Sequence, residues 1–181
     1  YGRHLLEGTG VTVNGKTAAH WLRLAAVAGH IEAQYLLADA YDSGLVLEEN
    51  PDEAFKWFRK AAEGGKVEAQ FALAASLERG EGCQPDIKEA VKWYDLAAEN
   101  GDASAQFNLG VLYLQGYGVV PDDEKAAHYF KLAAEQGVAN AQCNLGGMYE
   151  RGRGVEEDAE GRFGGQGPRR EEGRRGVLAE G

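Results

Sequence analysis

The chain has 181 residues, 44% of them hydrophobic, and a formal net charge of −10. This acidity argues against nucleic acid or an anionic membrane as the main partner, because both require a basic protein face. No stretch approaches the ~20 apolar residues of a membrane span, so no direct membrane insertion is expected. The charge is uneven, since residues 161–181 hold five Arg and three Glu, a local +2.

The two cysteines, Cys83 and Cys143, lie at different positions of the repeat described below and give no disulfide framework. A reducing compartment, and therefore a cytoplasmic location, is favoured. No secretory signal is visible. The chain begins at Tyr1 rather than at Met, which leaves open a targeting segment upstream.

A period of 36 residues runs along most of the chain. Self-similarity at a period of about 20 to 50 residues is typical of stacked-repeat proteins. Each unit contains a large aromatic residue, an Ala-Ala pair, a glycine and an Ala-Gln pair. The aromatics are Trp21, Trp57, Trp93 and Tyr129, the Ala-Ala pairs begin at Ala25, Ala61, Ala97 and Ala133, and the Ala-Gln pairs begin at Ala33, Ala69, Ala105 and Ala141.

This register divides the chain in order. A partial unit at residues 1–30 precedes full units at 31–66, 67–102 and 103–138. The first helix and turn of a further unit follow at 139–158, and residues 159–181 form a tail.

Each unit is predicted to contain two helices. The first carries an apolar stripe at i, i+4, i+7 and i+8, which in one unit comprises Ala105, Leu109, Leu112 and Tyr113. A Gly-x-Gly-Val turn follows at 8–11, 116–119 and 152–155, and departs to Gly-Leu-Val at 44–46. Gly-x-Gly can mark a phosphate-binding loop, but here it follows a helix and recurs, which indicates a structural turn.

The second helix is predicted to begin at a side-chain cap and to end at a glycine. Asn50 with Glu53, and Asp86 with Glu89, resemble the reciprocal capping box. Between cap and glycine, small residues alternate with large aromatics in a stripe that predicts a packed core. The caps are Asn14, Asn50, Asp86, Asp122 and Asp158, the glycines are Gly29, Gly65, Gly101 and Gly137, and one such stripe is Ala54, Trp57, Phe58, Ala61 and Ala62.

These residues together resemble the Sel-1-like repeat, a relative of the tetratricopeptide repeat. The string at 105–119, followed by Asp122, Ala126 and the Lys-Leu-Ala-Ala run at 131–134, carries a resemblance that covers about residues 1–158. It implies an all-α fold, a right-handed α-α superhelical solenoid of antiparallel helix pairs, with first helices lining the concave face. It also implies a non-catalytic adaptor that assembles other proteins. Some relatives cross-link each repeat with a cysteine pair, which this chain lacks.

One position of the motif varies between units. Gly110 stands where Ala38 and Ala74 stand earlier, so a slightly wider helix spacing is expected in those earlier units.

The periodic pattern stops after Glu160. Where the period predicts Ala, an aromatic, Ala and Ala, the chain has Arg162, Gly165, Arg169 and Arg170. This composition indicates a disordered Gly/Arg-rich tail. A second interpretation is a frameshifted continuation of the next repeat, because a shifted reading of compatible codons places Ala, Trp and Gly at the spacing found around Trp57. The nucleotide sequence would decide between the two.

Catalytic and metal-binding patterns do not stand out. His20 and His128 share one repeat position with Lys56 and Lys92, which indicates an exposed surface position. Zinc and calcium-loop spacings are absent from the sequence, and its acidic runs lie at helix starts, where the helix dipole favours them. Neither an enzyme nor a cofactor is expected.

Positions of the first helix that differ from unit to unit are the candidates for binding a partner, because repeat proteins bind through residues that break the repeat. Some of them would merely face solvent. Regularly recurring aromatics, namely Tyr35, Phe71 and Phe107, instead predict packing between repeats. The candidates are Leu36, Asp39, Ala40, Ala72, Ala75, Ser76, Asn108, Val111, Asn144 and Gly147.

The sequence thus predicts a protein–protein interaction scaffold whose concave, mildly acidic groove binds a peptide or helix of an unidentified partner protein. The alternative is an accessory repeat region of a larger enzyme or of a membrane-associated quality-control complex, of which this chain is a fragment. A start at Tyr1 within a repeat and an end in a broken one favour that alternative. Unpaired cysteines argue against a secreted repeat protein.

Overall fold

A computed structural model describes residues 15–155, with the side chain of Lys16 excepted. That stretch contains eight α-helices of 13 residues each and no strand. The helices are α1 (Gly15–Val27), α2 (Ile31–Ser43), α3 (Pro51–Glu63), α4 (Val67–Arg79), α5 (Ile87–Glu99), α6 (Ala103–Gln115), α7 (Asp123–Glu135) and α8 (Ala139–Arg151). Predicted features at residues 1–14 and 156–181, including caps Asn14 and Asp158 and the tail, lie outside the described residues.

Consecutive helices pack on one another along the described chain. We call α2, α4, α6 and α8 the first helices of their units, and α1, α3, α5 and α7 the second helices. The antiparallel pairs stack into a right-handed α-α solenoid, which confirms the predicted fold class. Each unit therefore buries its apolar face on its neighbours rather than in one central core.

The predicted stripes form the core. Alanines on the second helices and leucines on the first helices are fully buried, and aromatic rings fill the space between them. The aromatic series is less uniform than predicted: Trp57 is 5% exposed, Trp93 and Tyr129 are half-buried, and Trp21 is 46% exposed.

Polar side chains cap the second helices as predicted. Asn50 Oδ1 accepts a hydrogen bond from Glu53 N at 3.1 Å, and Asp86 and Asp122 cap α5 and α7 in the same way. The prediction of the second bond of the capping box, from Asn50 N–H to the Glu53 carboxylate, is wrong. Asn50 N–H already donates to the carbonyl of Tyr41, so the Glu53 carboxylate turns away and accepts from Trp57 Nε1 at 3.0 Å.

Second helices end in a glycine in the left-handed region. At the end of α3, Gly65 has φ +89°, Gly65 N–H donates to the carbonyl of Ala62, and Lys66 N–H donates to that of Ala61. These two hydrogen bonds together form the Schellman motif, and the same pair of bonds recurs at Gly29, Gly101 and Gly137.

The Ala-Gln and Ala-Ala pairs meet where one unit joins the next. The glutamine Nε2 donates to the carbonyl of the second alanine of the preceding pair, which lies in the last turn of the second helix. These bonds run from Gln34 to Ala26, from Gln70 to Ala62, from Gln106 to Ala98 and from Gln142 to Ala134, at 3.1, 3.5, 3.2 and 3.1 Å. Both pairs of the sequence motif therefore serve one junction.

The second glycine of the Gly-x-Gly turn lies against the preceding unit. A Cβ on Gly82, whose φ is +66°, would lie 2.1 Å from the carbonyl oxygen of Pro51. In the departing turn, Val46 replaces this glycine, and Gly15 replaces the proline of the facing helix, so that Val46 Cγ1 packs over Gly15. At that junction the small residue therefore lies on the helix and the larger one in the turn, the reverse of the arrangement at Pro51 and Gly82.

Candidate partner-binding surface

The ten candidate residues all lie on the first helices, but their exposure differs. Asp39 on α2 is exposed, whereas Ala40, Ala75 and Ser76 are buried and offer little surface. Ser76 Oγ donates to the carbonyl of Ala72 at 3.0 Å, within its own helix. The half-buried candidates are Leu36, Ala72, Asn108, Val111, Asn144 and Gly147.

The aromatic residues that follow Gln34, Gln70 and Gln106 belong to the frame and not to this surface. Tyr35 packs against Phe58, Phe71 against Tyr94 and Phe107 against Phe130, with ring centroids 5.8 to 6.1 Å apart. The partners of each pair lie in the same unit, so these ring contacts join the two helices of a unit. The prediction that they pack between repeats was wrong in this respect.

A polar contact that the sequence analysis missed lies beside Asn108. Tyr94 is almost completely buried, and its hydroxyl donates to Glu78 Oε2 at 2.8 Å. Burial and then the Glu78 carboxylate raise the pKa of Tyr94, whereas the neighbouring Asn108 side chain lowers it. The signal was available, because phenylalanines stand at the equivalent positions 58 and 130 and only Tyr94 carries a hydroxyl.

Several acidic side chains lie near the C-terminal ends of α2 and α4. Partial burial, and then the charge of Glu81, raise the pKa of Asp42, and Asp39 adds to this effect. Arg79 opposes it, with Arg79 Nη2 at 2.6 Å from Glu81 Oε2. One arginine faces several carboxylates here, so this end of the first helices is acidic.

At the opposite end of this surface, on α8, the candidate residue is a glycine and a neighbouring side chain is positively charged. On α8, a Cβ at Gly147 would lie 2.8 Å from Arg151 Nη2, so the guanidinium lies over the glycine. The first helices therefore present an acidic region at Asp39 and Asp42 and a basic residue at Arg151.

Three of the four histidines lie within residues 15–155, and they are separated by at least ten residues in the sequence. His20 and His128 are exposed, and His30 Nδ1 accepts from Ala33 N at the start of α2. Within residues 15–155, no group of three or more His, Cys, Asp or Glu side chains could hold a metal ion. In the same stretch, every helix is too short or too polar to cross a membrane.

The family follows from the repeats themselves. The model of the Sel1 repeat matches residues 1–30, 31–66, 67–102, 103–138 and 139–160. The chain belongs to the Sel1 repeat family. This assignment confirms the resemblance drawn from the spacing of the repeats.

Solved structures of other Sel1 repeat proteins share the architecture. The protein c5321, a protective antigen of uropathogenic Escherichia coli with an SLR fold, is 37% identical with a TM-score of 0.82, over 86% of this chain and 33% of that one. A Sel1 repeat protein from Oxalobacter formigenes is also 37% identical with a TM-score of 0.81, over 88% of this chain and 65% of that one. This chain thus spans less than two thirds of either relative.

A more distant structure shows the fold alone. Helicobacter pylori cysteine rich protein B is 22% identical with a TM-score of 0.58, over 74% of this chain and 96% of that one. No curated protein sequence matches this Sel1 repeat chain.

Proposed function

We propose that this Sel1 repeat chain is a non-catalytic scaffold that binds a peptide or helix of a partner protein along its first helices. The proposal rests on a difference between the buried and the accessible positions of these helices. Residues that recur at 36-residue spacing, such as Gln106 and Leu109, are buried in the frame, while the exposed Asp39 and the six half-buried candidates lie at two repeat positions that change from unit to unit. A surface that varies on a constant frame suits recognition.

The charge of the surface supports a partner segment of complementary charge. Asp39 and Asp42 lie at its acidic end, where Arg79 is the opposing charge. A basic segment would be attracted to that end, and the gain would come mainly in the rate and selectivity of association. Asn108, half-buried beside Tyr94 and Glu78, would add a polar contact further along.

The test is affinity capture with the full chain and two matched charge reversals. Asp39→Lys changes an exposed acid on a first helix, and Glu63→Lys makes the same change at an exposed position of a second helix. We expect one partner to be retained by the unmodified chain and by Glu63→Lys, and to be depleted several-fold with Asp39→Lys. Equal retention by both variants, or no partner above background, would contradict the proposal.

A further inference from the structure

A pocket of about 480 Å³ lies between the second helices α5 and α7. Asp95 and Glu99 contribute from α5, while Lys125, His128 and Tyr129 contribute from α7, and Tyr113 reaches in from α6. We call it the α5–α7 pocket. None of the ten first-helix candidates lines it.

Two tyrosines form one wall of the pocket. The rings of Tyr113 and Tyr129 stack with centroids 5.8 Å apart and an interplanar angle of 9°. The Tyr129 hydroxyl donates to Asp95 Oδ1 at 3.1 Å, which fixes the carboxylate beside the ring pair. The wall therefore joins aromatic surface and negative charge, the combination that favours a cation.

The charge of the α5–α7 pocket is negative. Asp95 and Glu99 lie one helical turn apart, and Glu124 faces them from α7. The opposing charge is Lys125, whose Nζ lies 5.0 Å from the Tyr113 centroid and 3.8 Å from Asp122 Oδ2 outside the pocket. Its side chain is 59% exposed, so solvent reaches the ammonium easily.

In the two equivalent grooves earlier in the solenoid, the chain's own arginines make contacts across the groove. Arg23 and Arg59 stand where Asp95 stands, at 36-residue steps. Arg23 donates to the hydroxyl of Tyr41, the equivalent of Tyr113, and its guanidinium carbon lies 5.8 Å from that ring centroid. In the next groove, Arg59 Nη2 lies 3.1 Å from Glu89 Oε1.

We propose that the α5–α7 pocket binds the guanidinium group of an arginine supplied by a partner protein. The preceding grooves show that this geometry accepts a guanidinium between neighbouring second helices. In the third groove, Asp95 and Lys125 stand where Arg59 and Glu89 stand, so this pair is reversed in sign. Within residues 15–155, no arginine lines the groove, and Glu99 and Glu124 leave it with a surplus of negative charge. A guanidinium suits it better than an ammonium, because a planar cation can pair with a carboxylate and stack on a ring at once.

The probe for this site is N-acetyl-arginine amide, with N-acetyl-citrulline amide as the uncharged analogue of the same shape. Two-dimensional NMR of the full chain at low salt would follow the amides of Asp95, Glu99 and Tyr129 during titration. We expect saturable shifts with the arginine compound and none with the citrulline compound. Shifts that fail to saturate, or that citrulline or N-acetyl-lysine amide reproduces equally, would overturn the proposal.

The site can also be tested by substituting residues that an earlier repeat carries at the same position. Asp95→Arg introduces the residue found at Arg59 and should abolish probe binding, because it replaces the carboxylate with a positive charge beside Lys125. Tyr113→Leu copies Leu77 and should weaken binding about threefold or more by removing the ring wall. Unchanged binding in either variant would contradict the assignment.

Two further variants separate a direct effect from loss of folding. Lys125→Gln removes the ammonium that competes for the Tyr113 ring and should tighten binding, an effect that a damaged fold would not produce. Glu63→Gln changes the equivalent of Glu99 in the preceding groove and should leave binding unchanged, whereas Glu99→Gln should weaken it. Weaker binding with Lys125→Gln, or equal effects of the two glutamate variants, would argue against the proposal.

Discussion

The side-chain amide of Gln106 donates a hydrogen bond to the carbonyl oxygen of Ala98, 3.2 Å away in the preceding unit. Gln106 Oε1 accepts in turn from Gln136 Nε2 at 2.8 Å, so both polar atoms of a side chain that is 4% exposed are paired. Gln70 makes the equivalent donor contact to Ala62, but its Oε1 has no hydrogen-bond partner within residues 15–155. Glutamines at the same repeat position therefore differ in whether the side-chain oxygen is hydrogen-bonded.

This difference predicts unequal costs for the same substitution. Gln106→Met should lower the free energy of unfolding by about 1–2 kcal/mol, because it removes two hydrogen bonds of a buried side chain. Their partners keep one bond each, since the Ala98 carbonyl still accepts from Gly101 N–H and Gln136 Nε2 still donates to the Gly101 carbonyl. Gln70→Met should cost less, since it also removes an oxygen that is buried without a partner. Urea denaturation followed by circular dichroism measures both. An equal or larger cost for Gln70→Met would contradict the proposed role of this contact.

The turn glycines offer a second comparison within the chain. Gly82 and Gly101 both have positive φ, of +66° and +90°, but only Gly82 faces the backbone of the preceding unit at close range. Gly101→Ala should cost about 1–2 kcal/mol from backbone strain alone. Gly82→Ala should cost at least about 2 kcal/mol more, because its Cβ would collide with the Pro51 carbonyl. Similar costs in urea denaturation would show that the solenoid relaxes at this contact.

The helices and their caps could be predicted because they depend on residues close in sequence. Asn50 caps α3 through an amide three residues away, and Gly65 ends the same helix. The partner of Glu53 could not be predicted, since it depends on the Tyr41 carbonyl reaching Asn50 first. The exchange of Gly15 and Val46 was visible only as two separate departures from the repeat, because their contact joins different units.

The candidate surface was harder to predict than the frame. A position that differs between units can be variable because it binds or because it packs against another variable residue. Ser76 belongs to the second kind by its burial, and Asp39 remains open to a partner. The α5–α7 pocket escaped the sequence analysis because it needs the change from Arg59 to Asp95 to be seen together with the rings that face it.

The tryptophan series gives a graded prediction of stability. Trp57→Ala should cost about 3–5 kcal/mol, because the ring is 5% exposed and its truncation leaves a cavity between the helices. Trp93→Ala should cost less, since part of that ring already faces solvent. Both values come from chemical denaturation of the full chain. A cost below about 1 kcal/mol for Trp57→Ala would show that its ring is not part of the core.

The Glu53 carboxylate should make stability depend on pH in a defined direction. The hydrogen bond from Lys56, and then that from Trp57, hold the pKa of Glu53 below its ordinary value of 4.5. A carboxyl whose native pKa is depressed adds stability above its unfolded pKa and loses it as the pH falls through the native value. Stability that depends on this charge should therefore be present at pH 7 and should decline below about pH 4.5.

Glu53→Gln isolates this contribution, because the amide oxygen can still accept from Trp57 while the charge toward Lys56 is lost. At pH 7 the variant should be less stable by no more than about 1 kcal/mol, since the pair is largely exposed and screened. The difference should shrink in urea denaturation series at successively lower pH and vanish once the native carboxyl is protonated. Glu63→Gln, an exposed change at the end of the same helix, controls for net charge. A difference between Glu53→Gln and the unmodified chain that stays constant from pH 7 to about pH 3 would show that the shape of the side chain, and not its charge, stabilises α3.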